Sequence, residues 1–239
     1  MAELTYARHV LAEIKKRRDS ERAAHSLRFF KTGPGEYGEG DQFYGLTVPQ
    51  IRSIAKNAKN LPLAEVEILI YGTYHEERLI GFIILTNDFI KGDEETQKEI
   101  YSFYVKHAKQ ANNWDLVDTS AHKIVGQWII THPNDENILY KLSKSTNLWE
   151  QRISVIATLT LISHGIFDPT LKLSTHFLRH KHDLIHKACG WALREVGKKD
   201  TSKLVLFLDK HTLEMPRTML RYAIEKLPEK QRKHYLYLR

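Results

Sequence analysis

Cysteine occurs once in the 239 residues, at Cys189, so no disulfide can form within the chain and nothing points to an oxidising compartment. Long apolar runs are missing as well. No stretch approaches the roughly 18 residues of a membrane helix, and "MAELTYARHVLAEIKKRRDSERAAH" lacks the apolar core and cleavage site of a leader. These absences lead to the expectation of a soluble intracellular, cytoplasmic protein with no membrane role. Strand-type alternation is scarce and few turns resemble hairpins, which argues against a β fold. The one glycine-rich segment, "KTGPGEYGEGDQFYGLT" (Lys31 to Thr47), carries no GxxxxGK[ST] pattern and no strand precedes it. Its glycines therefore read as turn chemistry rather than a phosphate cradle.

What is present is helical periodicity. "YARHVLAEIKK" puts Tyr6, Val10, Leu11 and Ile14 on one stripe; Ile100, Phe103, Tyr104 and His107, and then Ile138, Leu139 and Leu142, repeat the pattern. Pro49, Pro133, Pro169 and Pro216 fall where helices should start or stop. The expected organisation is a single domain over 1–239: an N-terminal helical pair (1–30), the long loop (31–47) and a repeat body (48–239).

The repeat body contains three related segments, "NNWDLVDTSAHKIVGQWI", "NLWEQRISVIATLTLI" and "DLIHKACGWALREVGK". Trp114 and Trp149 are 35 positions apart, as are Arg152 and Lys187. Shorter amphipathic segments, "PNDENILYKLSK" and "PTLKLSTHFLRH", lie between them. A helix pair recurring at this spacing predicts an all-α fold, a curved α-solenoid of HEAT-like repeats whose equivalent positions line a concave groove. Those positions offer Trp114 and Asp118 from the first segment, Arg152 from the second, and Lys187, Trp191 and Arg194 or Glu195 from the third. Every one of them has a plainer explanation. A tryptophan in a helical protein is usually core; Asp118 could cap or pair a helix, and Arg152 and Arg194 sit beside Glu150 and Glu195, as at any solvated edge. The coincidence of aromatic, acidic and basic groups in three successive units favours a site.

The formal net charge is +7, which points to a polyanion partner, nucleic acid first, against the alternative of a mildly basic protein that binds nothing charged. "KKRR" (Lys15 to Arg18), "KKDTSK" (Lys198 to Lys203) and the C-terminal "EKQRKHYLYLR" are candidate phosphate contacts or ordinary solvated faces. His176/His180 and His182/His186 have the i, i+4 spacing of zinc ligands. Asp183 should begin a new helix and turn the two pairs apart, so no metal is expected.

"NNWDLVD", "NLWEQR" and "HKACGWALREVGK", together with "LRFFKTGPGEYGEGDQFYGLTVPQIR", resemble the AlkD-type DNA alkylation repair proteins over nearly the whole chain. The resemblance implies an all-helical HEAT-like fold that removes alkylated purines from duplex DNA without extruding the base into a pocket. It implies that Trp114 and Trp191 flank the damaged nucleotide, that Asp118 is the catalytic carboxylate, that Arg152 holds the DNA backbone and that Arg194 borders the site. Lys187 and Lys198 are further DNA-binding candidates; no cofactor is expected, and a monomer is. The family can carry a tyrosine near Phe29 and Phe30; with phenylalanine at both positions this chain offers no hydroxyl there.

The chemistry is consistent with one carboxylate. A purine alkylated at N3 or N7 is cationic and already a good leaving group, so a general acid is not needed. The difficult species is the oxocarbenium-like sugar, which an ionised Asp stabilises while orienting water. Indole faces suit a cationic base, at roughly 0.5–2 kcal/mol each, and Arg152 offers phosphate a bidentate fork. A non-catalytic HEAT protein binding distorted or branched DNA is the alternative reading, and a HEAT scaffold for a protein partner is a third.

Overall fold

The computed structural model describes residues 4–59 and 61–238. Among them there is no strand, only an isolated bridge between Gln42 and Tyr74. The chain divides between Ser120 and Ala121 into two compact units.

The first unit holds α1 (Ala7–Lys16), α2 (Ser20–Phe29), α3 (Val48–Asn57), α4 (Leu63–Ile70), α5 (His75–Lys91) and α6 (Glu94–Lys106), and α7 (Trp114–Ala121) ends at the division. The helices begin where local chemistry satisfies their free amides. Asp19 accepts from Arg22 N ahead of α2 and Asp93 from Thr96 N ahead of α6, while Thr47 and Gln50 form a capping box on α3 with Pro49 in its first turn. α5 is the central element, apolar almost all round through "LIGFIIL" and packed by α3, α4 and α6. α2 buries none of its residues.

The loop between α2 and α3 is tied down by α5. Glu76 accepts from the backbone amides of Tyr44, Gly45 and Leu46 at 2.9, 2.7 and 3.1 Å. Gly45 has a φ of +84°, and a Cβ there would overlap the Asp19 carbonyl, so the close approach of loop to α2 requires glycine.

The second unit opens with a π-helical turn (His122–Gly126), followed by α8 (Gln127–Thr131), α9 (Asn137–Ser143), α10 (Leu148–Ser163), α11 (Asp168–His176), α12 (Asp183–Lys199), α13 (Thr201–His211), α14 (Arg217–Ala223) and α15 (Glu229–Tyr237). α10 packs on α9, α11, α12 and the π turn, and α12 packs on α11, α13 and α14, so the apolar face of each long helix is covered by its sequence neighbours. The helix start expected at Asp183 is observed, with His182 as its cap. Gly190 permits the close contact of α12 with α14: a Cβ there would lie 2.6 Å from the Met219 carbonyl oxygen. Trp128 and Trp149, 4% and 7% exposed, belong to this unit's core.

Candidate active site

α7 carries Trp114 and Asp118. Trp114 and Asp118, one helical turn apart, are both half-buried on the same side, whereas Leu116 and Val117 between them are fully buried. The Trp114 indole lies against Phe30 (ring centroids 5.6 Å apart, 26° between planes) and meets the edge of Phe29 at 6.0 Å. Phe30 in turn lies on Phe43 (5.1 Å) and His75 (4.6 Å). The indole is thus the open end of an aromatic stack. The Asp118 carboxylate is close enough for its charge to act on the buried Tyr104: burial pushes that phenol up, and Asp118 adds to the shift. The Tyr104 hydroxyl is 2.9 Å from Ser120 Oγ, which anchors the far end of α7.

The start of α7 is held by charged groups that the sequence pattern did not single out. Asn113 Oδ1 accepts from Trp114 N at 2.8 Å and Asp115 Oδ1 accepts from Leu116 N at 3.0 Å. His75 Nε2 lies 2.8 Å from Asp115 Oδ2, and His75 Nδ1 lies 3.2 Å from Asp41 Oδ2. Arg78 donates to the other Asp41 oxygen at 2.5 Å and to the Gly72 and Thr73 carbonyls. Burial works against charge on His75, but the two carboxylates outweigh it and raise its pKa to about 9. Burial pushes the Asp41 carboxyl up, but His75 and Arg78 outweigh it and hold it below its ordinary range. The only sequence signal for this network is the run "HEER" directly before the apolar core of α5, four charged or polar residues that are all buried.

The second unit holds Arg152, Lys187, Trp191, Arg194 and Lys198. Arg152 is 4% exposed, not the solvated edge its neighbour Glu150 suggests, and its Nη1 donates to the Leu184 carbonyl at 2.6 Å. This bond ties α10 to the first turn of α12, the helix that carries the other four. Trp191 is half-buried, and its Nε1 donates to Glu195 at 3.2 Å. Glu195 also takes Lys198 at 2.8 Å; Arg194 pairs with Glu225, and Lys187 with Asp183 at 2.8 Å. Such partly exposed pairs are weak enough for a phosphate to displace the acid.

The histidine run does not assemble. His176 faces the Ser143 carbonyl (3.3 Å), His180 faces Gln151 (3.0 Å), and His182 Nδ1 accepts from Leu184 N (3.2 Å), which leaves its proton on Nε2. Burial, above all, lowers the pKa of His180 and His182. Among the described residues no three His, Cys, Asp or Glu side chains converge as metal ligands. Cys189 is fully buried, and its thiol is pushed up to about 12 by that burial. No helix among the described residues is long and apolar enough to cross a membrane.

Among curated proteins, none matches the sequence significantly. The solved structure of the "Predicted DNA alkylation repair enzyme from Enterococcus faecalis" superposes with a TM-score of 0.71 at 19% identity, over 89% of this chain and 98% of that one. At that identity the likeness speaks for the all-α fold alone. The model of the family described as "DNA alkylation repair enzyme" matches residues 10–227, from α1 through α14. With nearly the whole chain matched, this protein belongs to the DNA alkylation repair enzyme family and has its role in DNA repair.

Proposed function

We propose that the protein is a monofunctional DNA glycosylase that releases cationic N3- or N7-alkylated purines from duplex DNA. The observation that carries the reading is the pairing on α7: an indole and a carboxylate, both partly open, one turn apart on a helix that buries Leu116, Val117 and Ser120. Two of the four tryptophans, Trp128 and Trp149, are buried, and the two that remain partly open are Trp114 and Trp191.

In this mechanism the alkylated purine leaves with the electron pair of the glycosidic bond, which neutralises its positive ring. The Asp118 carboxylate stabilises the oxocarbenium-like sugar and orients a water molecule. Water oxygen bonds to the anomeric carbon, its proton passes to solvent, and an abasic site remains. Trp114 and Trp191 present ring faces to the cationic base and sugar edge. Arg194 holds the backbone, with Lys187 and Lys198 as further phosphate contacts, and Arg152, buried against the Leu184 carbonyl, reaches a phosphate only where the DNA approaches the start of α12. Neutral bases leave too poorly to react, so discrimination comes from leaving-group chemistry and needs no extrusion of the base. The enzyme acts as a monomer, inside the cell, without a cofactor.

Base release from methylated duplex DNA, parent against Asp118→Asn, tests the reading. Loss of 7-methylguanine release with duplex binding intact is expected. Binding without release in the parent itself would favour a non-catalytic binder of distorted DNA.

A further inference from the structure

We infer that His75 is a positioning residue for base excision: clamped between Asp115 and Asp41, its imidazolium fixes the start of α7 and with it the orientation of Trp114 and Asp118. The inference rests on the glycosylase reading and adds to it a residue that touches neither base nor sugar.

The geometry makes the ring a double donor. Each ring nitrogen faces a carboxylate oxygen, at 2.8 Å for Asp115 and 3.2 Å for Asp41. Ionised carboxylates only accept, so both nitrogens must carry protons and the ring must be cationic. The His75 and Asp41 side chains are 3% and 7% exposed, which makes the pairing insensitive to salt and costly to leave incomplete. Arg78 balances the second negative charge from the same turn of α5, and Glu76 and Glu77, the other ionisable groups there, are turned to the loop at Tyr44 to Leu46. Two carboxylates and two cations thus close a neutral chain linking the loop, α5 and α7.

The chain grips Trp114 from both sides. Asp115 is bound directly through His75, while Asn113 reaches Asp41 at the 3.5 Å limit and holds the Trp114 amide with its other amide atom. The imidazole ring also lies against Phe30, on which the indole stacks. An ordinary helix start needs only one side-chain acceptor. Here the acceptor is reinforced by three buried charges on two other segments, as expected where orientation and not mere helix formation is at stake. A site without an enclosing pocket depends on such support, because small displacements of reacting groups reduce rates steeply.

The test uses the full chain and duplex DNA carrying a single 7-methylguanine. His75→Gln keeps a polar side chain and removes the charge; Asp115→Asn keeps the cap to Leu116 and removes the charge from the other end. Single-turnover release at saturating protein should slow by about tenfold to a hundredfold in each. Duplex affinity should stay within about threefold of the parent. The double variant should be no slower than the worse single, since both break one chain. The indole N–H resonance of Trp114, identified by its loss in Trp114→Phe, should shift in both. Should His75→Gln fail to fold, Asp115→Asn decides alone. Parental release rates in a folded variant, or rate and duplex binding lost in parallel, would overturn the positioning role. Asp118→Asn keeps the two ideas apart. If the parent itself releases no base, the glycosylase reading fails; if Asp118→Asn still excises, the role of its carboxylate fails; if Asp118→Asn is inactive while His75→Gln keeps the parental rate, only the positioning role fails.

Discussion

Trp114 and Trp149 occupy equivalent places in the repeat spacing, yet one is half-open and the other is core. Spacing reports which residues share a helix face; it does not report what packs against that face. The pairing of Trp114 with Asp118 was legible because i and i+4 is a local relation. The burial of Arg152 was not, because its partner Leu184 lies 32 residues on. His75, Asp41 and Asp115 escaped for the same reason, being 34 and 40 residues apart. The tryptophans should therefore separate by phenotype. Trp128→Ala, which empties a core site and orphans the indole's Asp135 acceptor, should cost about 3–5 kcal/mol in urea denaturation. Trp114→Ala should cost much less stability and reduce base release instead. The charge on His75 has a consequence of its own. Unfolded, the ring gives up its proton near its ordinary value of about 6.5; folded between Asp115 and Asp41, it keeps it to about 9. Its contribution to stability is thus full below about pH 6.5 and lost as pH rises through about 9. Denaturation midpoints at pH 6 and pH 9.5 should show this loss in the parent and not in His75→Gln.

At the scale of elements, starts and stops were the readable part. Pro49, Pro169 and Pro216 mark helix starts, Asp183 begins α12, and the stripe Val10 and Ile14 is buried as its spacing requires. Tyr6, on the same stripe, is exposed because it precedes the first turn of α1. What spacing could not convey is how closely elements approach. Gly190, beside Trp191, is such a place, since α14 passes over it. Gly190→Ala should push α12 from α14 and destabilise the protein by about 1–3 kcal/mol, read from thermal unfolding. Gain of helix propensity alone would instead stabilise it by about 1 kcal/mol, so the sign of the change distinguishes the two effects.

For the whole molecule, family membership over residues 10–227 and a net charge of +7 agree on DNA as the partner. Lys187, Arg194 and Lys198 are each paired with a carboxylate, and in the proposed footprint phosphate takes the place of those acids. Duplex affinity should accordingly fall steeply between about 50 and 200 mM salt. Fluorescence anisotropy on a labelled duplex reads it, and affinity independent of salt would contradict a phosphate footprint. The central claim is that the Asp118 carboxylate performs the chemistry. Its most direct test is the release of 7-methylguanine from methylated duplex DNA by the parent and by Asp118→Asn under single-turnover conditions. The expected result is release by the parent, none above background by the variant, and equal duplex binding by both; release by Asp118→Asn at the parental rate would contradict it.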